Sequence, residues 1–107
     1  MNVIYKYKLD ISAGIQKICL PCSSYQVLSV EVIDSSLFVW IKLLKTDDSS
    51  KTKVFLEVLG TGEEADSDLR RTFIGTAVDR EMNLVWHVFE IFEDDRDFDL
   101  TGIFLKL

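Results

Sequence analysis

The sequence predicts an all-β fold, a compact antiparallel sandwich or small barrel of about seven strands with a C-terminal extension. Three observations predict it. Apolar residues recur with a period near two along most of the chain. These alternating segments are about 8 to 15 residues apart and are separated by turn residues. No window of about 11 residues carries the apolar stripe of an amphipathic helix.

Val3, Tyr5, Tyr7 and Leu9 alternate with Ile4, Lys6, Lys8 and Asp10, which predicts a strand with one wet face over 3–9. Ser12-Ala13-Gly14 reads as a turn. Ile15–Leu20 is a second strand, stopped by Pro21. A third, 26–33, sets Leu28, Val30 and Val32 against Ser29 and Glu31. Asp34-Ser35-Ser36 turns the chain into a fourth, 37–44, which is apolar on both faces. Such a strand is central or lies at a subunit contact. KTDDSSKT, 45–52, is a polar loop. The fifth strand covers 53–59. Residues 60–71 read as a loop or one helical turn. The sixth and seventh strands cover 72–78 and 83–92. Residues 1–92 therefore form one β domain. Residues 93–107 form an extension, acidic in EDDRDFD and apolar in LTGIFLKL.

With 107 residues, 48% of them apolar, the chain can bury a core. No apolar run reaches the roughly 18 residues of a membrane span. The N-terminus MNVIYKYKLD carries charge where a signal peptide is apolar, so a cytoplasmic protein is expected. The net charge is −6 and uneven. Residues 1–53 hold seven Lys against five acids, and residues 54–107 hold five Lys and Arg against thirteen. An acidic chain gains little from releasing phosphate counterions, so direct DNA binding is not expected.

Cys19-Leu20-Pro21-Cys22 has redox-like spacing, but no helix follows to lower a thiol pKa. Two Cys and one His fall short of the four ligands of a closed zinc site. Gly60-Thr61-Gly62-Glu63-Glu64-Ala65 resembles a dinucleotide loop on paper. The required helix and parallel strand have no room before Phe73, so the glycines read as a turn. His87, the chain's one histidine, shares a strand face with Val85, Phe89 and Ile91. The plainer reading is a hydrogen-bonded core residue, and the functional one is a ligand contact at a subunit boundary. Arg70, Arg71 and Thr72 can hold a phosphate, or the arginines can pair with Glu63, Glu64, Asp66 or Asp68. Tyr5, Tyr7, Trp40, Phe73 and Trp86 can stack a base, though such aromatics more often build a core. The expected ligand set is Arg70, Arg71, Thr72, Trp86, His87, Tyr5 and Tyr7. The expected oligomer interface is Phe38, Trp40, Phe104 and Leu105. No catalytic set, metal or cofactor is expected.

Tyr5-Lys6-Tyr7, Leu28-Ser29-Val30, Trp40, Gly60-Thr61-Gly62, Phe73-Ile74-Gly75-Thr76 and Val85-Trp86-His87-Val88-Phe89-Glu90 occur in that order. This pattern resembles a family of small, largely uncharacterised phage and prophage proteins over residues 3–90, and 93–107 lies beyond it. The resemblance implies a non-essential phage gene, a class rich in inhibitors of host defence, and thus a protein of the host cytoplasm. The leading expectation is a non-enzymatic homo-oligomer, dimer or tetramer, that sequesters a cyclic nucleotide or other nucleotide-derived signal. One alternative is an acidic inhibitor that covers a basic host protein or mimics DNA. Another is a minor structural protein of the virion.

Overall fold

Each alternating segment of the sequence forms a strand. The computed structural model describes residues 2–47, 49–65 and 69–92. Its strands are β1 (Val3–Leu9), β2 (Ile15–Leu20), β3 (Cys22–Ile33), β4 (Ser36–Thr46), β5 (Thr52–Gly60), β6 (Arg70–Asp79) and β7 (Leu84–Phe92). All pairs are antiparallel. They make a three-stranded sheet in the order β1-β4-β3 and a four-stranded sheet in the order β2-β5-β7-β6. The expected extension 93–107, with Phe104 and Leu105, lies outside the described residues.

The core follows from the alternation. Leu37, Val39, Ile41 and Leu43 of β4 point inward and meet Val54, Leu56 and Val58 of β5. Leu9, Leu20, Cys22, Ala77 and Val88 complete the cluster. On its other face Phe38, Trp40, Lys42 and Leu44 point outward and are half-buried. β4 is thus the central strand of its sheet, as its two apolar faces predict. β5 is also buried on both faces. Phe55 joins Leu69 and Ile91 in a second, smaller cluster on the outer side.

Several boundaries differ from the sequence reading: β4 runs to Thr46 and β5 starts at Thr52, shortening the expected loop 45–52, and two others matter more. β3 begins at Cys22, four residues earlier than expected, because the chain does not stop at Pro21 but turns a corner there. β2 belongs to one sheet and β3 to the other, with Pro21 alone between them. Strands that change sheets in this way make the corners of sandwiches. The Asp47 amide donates to the Pro21 carbonyl at 3.0 Å, and the Thr52 hydroxyl to the Cys22 carbonyl at 2.6 Å. Arg70 and Arg71, read as part of a loop or helical turn, instead open β6. The pairing of Arg71 with Ile91 and of Arg70 with Phe92 extends the ladder.

The far edges of the two sheets meet where β3 lies against β6. Both strands are bulged there, between Val27 and Ser29 and between Phe73 and Gly75. A Cβ on Gly75 would lie 3.1 Å from Val30 Cγ2, a tight contact that Val30 would have to yield to, so glycine here eases the close approach of the sheets. Tyr25 of β3 donates its phenolic proton to Glu90 of β7, a second tie between the layers. Burial, followed by that hydrogen bond, pushes the Tyr25 phenol far above its ordinary value. Above the phenol's ordinary pKa of about 10, the unfolded chain therefore loses this proton while the folded chain keeps it. This tie is intact below that pH and stability falls as pH climbs past it. Thermal melts at pH 8 and 10.5 should show a larger drop for the wild type than for Tyr25→Phe.

Asp34 and Ser35, with φ of 49° and 61°, form the two-residue β3–β4 turn. Positive φ at both positions is the type I′ geometry that Asn-Gly fits best. The double change Asp34→Asn, Ser35→Gly should stabilise the protein by about 0.5–2 kcal/mol, measurable as a raised urea midpoint.

Candidate functional site

Polar and aromatic side chains gather on both outer faces of the sandwich. On the four-stranded sheet, register fixes who meets whom. Glu57 of β5 lies beside Phe89 of β7, and Phe89 beside Phe73 of β6. Glu57 is only 5% exposed. Arg71 reaches it from β6, with Nε donating to Oε1 at 2.9 Å and Nη2 at 2.9 Å from the same oxygen. The guanidinium also stands 6.0 Å from the centre of the Phe89 ring. Phe73 meets Phe89 edge to face at 5.5 Å, and Phe73 itself is 56% exposed.

One row further along the same face, His87 pairs across the ladder with Leu59 and Thr76. Its Nε2 lies 2.9 Å from the Thr61 hydroxyl and its Nδ1 3.1 Å from the Thr76 hydroxyl. A neutral imidazole donates at one nitrogen and accepts at the other, and a threonine hydroxyl can take either role. His87 is therefore a tie between β7, β6 and the turn after β5. That turn is built by Gly60-Thr61-Gly62: Gly62 adopts φ of 89°, and the Glu63 amide donates to the Gly60 carbonyl at 3.1 Å.

The outer face of the three-stranded sheet has a different character. Lys6 pairs with Trp40 and Lys8 with Phe38 across β1 and β4, and Lys42 pairs with Ile4. The Lys6 ammonium stands 4.6 Å from the centre of the Phe38 ring and 5.7 Å from that of Trp40. β3 adds Gln26, Ser29 and Glu31 alongside Lys42, Trp40 and Phe38. Three lysines thus lie around two aromatic rings, with Glu31 and Asp10 at the margin, in a chain whose net charge is −6.

The structure divides the residues expected to bind a ligand. Arg71 and His87 share the outer face of the four-stranded sheet. Arg70 and Thr72 alternate with Arg71 along β6 and are exposed. Trp86 turns inward and packs on the main core. It borders a cleft of about 390 Å³ with Gly60, Thr61 and Glu63, a cleft that neither Arg71 nor His87 lines. Tyr5 and Tyr7 stand on β1 of the other sheet, edge to face at 6.3 Å. Arg70, Arg71, Trp86 and His87 do not converge on one cavity. Arg71 takes Glu57 as its ion-pair partner, an acid the sequence reading did not consider. An acid in the middle of the apolar run VFLEVL was the available signal, because a buried carboxylate needs a partner. Phe38 and Trp40, expected at a subunit interface, lie half-buried on the outer face of β4, beside Lys8 and Lys6 of β1.

Cys19 is exposed and Cys22 buried, both as free thiols flanking the sheet corner. Among the described residues, no helix is long and apolar enough to cross a membrane. No curated protein and no solved structure matches the chain. Its residues 1–97 match the model of the domain of unknown function DUF7352, so the chain belongs to that family.

Proposed function

We propose that this protein acts by binding rather than catalysis, as a phage accessory protein that counters host defence. In this reading a homo-oligomer sequesters a small nucleotide signal. The resemblance to phage proteins supports the biological setting. The observation that carries the binding reading is the apolar surface displayed on the outer faces. On the four-stranded sheet Phe73 is 56% and Val78 50% exposed, and Met82 in the β6–β7 turn is 61% exposed. Arg71 and Glu57 neutralise each other on that face, so the side chains around Phe73 carry little net charge. Two chains of net charge −6 repel least where their surfaces are neutral. An exposed apolar patch of this kind fits self-association.

Light scattering at micromolar concentration should give the mass of a dimer or tetramer, and Phe73→Glu should return it to a monomer. Calorimetry with cyclic di- and oligonucleotides and cyclic ADP-ribose forms should show heat with at least one. A monomeric wild type that takes up none of them defeats the reading.

A further inference from the structure

We infer that the outer face of the three-stranded sheet is a nucleotide site, with a base against Phe38 and Trp40 and phosphate on the lysines around them. This inference rests on the nucleotide reading above and gives it a place. Phe38 and Trp40 are two residues apart on β4, so their side chains stand in line on one face. Both are half-buried and therefore held in place, yet still partly open to solvent. Every base has a π-face, and a fixed aromatic pair on a sheet stacks one or two bases without needing a particular sequence.

Cations cover and border the rings on which a base would stack. Lys6 lies over both rings, at 4.6 Å and 5.7 Å from their centres. Lys8 and Lys42 flank it one row away on either side, through their pairings with Phe38 and Ile4. Two acids border this face, Glu31 beside Phe38 and Asp10 near Lys8, against the three lysines. The face is therefore locally positive on a molecule that is negative as a whole. Such a contrast draws an anionic ligand to this face and away from the rest of the surface. In the free protein Lys6 covers the rings itself, as long cationic side chains do over apolar surface. A nucleotide would take that place on the rings and offer its phosphate to the displaced ammonium, a charge-assisted contact.

The ligand chemistry is a base joined to a phosphate, which a free nucleotide or a single strand can supply. The protein has two tryptophans, so Trp86→Phe leaves Trp40 as the sole tryptophan emitter. Trp86 lies on the inward side, away from the proposed site. Adenosine monophosphate, cyclic di-adenylate and an oligothymidylate are titrated separately into this variant. The expected result is saturable quenching by one of the two free nucleotides, weakening as salt rises and about tenfold weaker in a Lys6→Ala background. Quenching by the oligothymidylate alone would overturn the free-nucleotide assignment in favour of a single strand. Heat of nucleotide binding to the wild type without any Trp40 quenching overturns this site but leaves the sequestration reading standing. No heat and no quenching overturn both.

Discussion

Arg71→Ala lowers the stability of the protein by about 3–5 kcal/mol, the usual loss when one partner of a buried ion pair is removed. The side chains of Arg71 and Glu57 are only 16% and 7% exposed. Glu57 sits in the centre of β5, between β2 and β7, on a strand buried on both sides. Without the guanidinium its carboxylate must either stay charged in a poorly solvated site or take up a proton. Both cost free energy. Glu57→Ala leaves the cation in the same position and falls in the same range. Removing both charges is a different matter. The double variant Glu57→Leu, Arg71→Met keeps apolar volume and strands no charge, so it should be more stable than either Ala variant. Urea midpoints of the four proteins measure this. Single variants within about 1 kcal/mol of the wild type would place the pair in the class of weak surface bridges.

Ile41→Ala costs about 2–5 kcal/mol, the range for truncating a buried aliphatic side chain. Ile41 is fully buried in the central strand of its sheet, paired with Tyr5 on one side and Val27 on the other. Its neighbour Trp40 points the opposite way. Trp40→Ala should therefore cost less stability, despite removing a larger group, and should remove nucleotide binding. The contrast between adjacent positions separates a core function from a surface one. Denaturation curves and calorimetry on the two variants read it directly. Equal destabilisation by both would mean that the outer face is as structural as the inner one.

The strands were legible because their physics is local. A period of two and a turn residue at each end are visible within any ten-residue window, as in Val3–Leu9 or Leu84–Phe92. The corner at Pro21 was not, because whether a chain stops or turns depends on what its two halves pair with. The start of β6 was missed for the same reason: Arg70 and Arg71 are strand residues only because β7 runs beside them. The site was less legible still. Glu57 and Arg71 are 14 residues apart and Thr61 and His87 are 26 apart. Lys6 reaches Phe38 and Trp40 only through the β1–β4 register. Cross-sheet register is set by the sum of the core contacts, not by the residues that later form a site. Sequence pattern alone thus supplied the ingredients, aromatics, lysines and an arginine pair, while the pairing of strands decided which of them meet.

Amide chemical-shift mapping tests the lysine-ringed aromatic face of the three-stranded sheet most directly. Adenosine monophosphate and cyclic di-adenylate are titrated in turn into the isotopically labelled protein. A nucleotide site on this face requires that the signals of Lys6, Phe38, Trp40 and Lys42, and the Trp40 indole, move together and saturate, while those around Phe73 and His87 stay still. Shifts confined to the β6–β7 face, or none anywhere on β1 and β4, would contradict it.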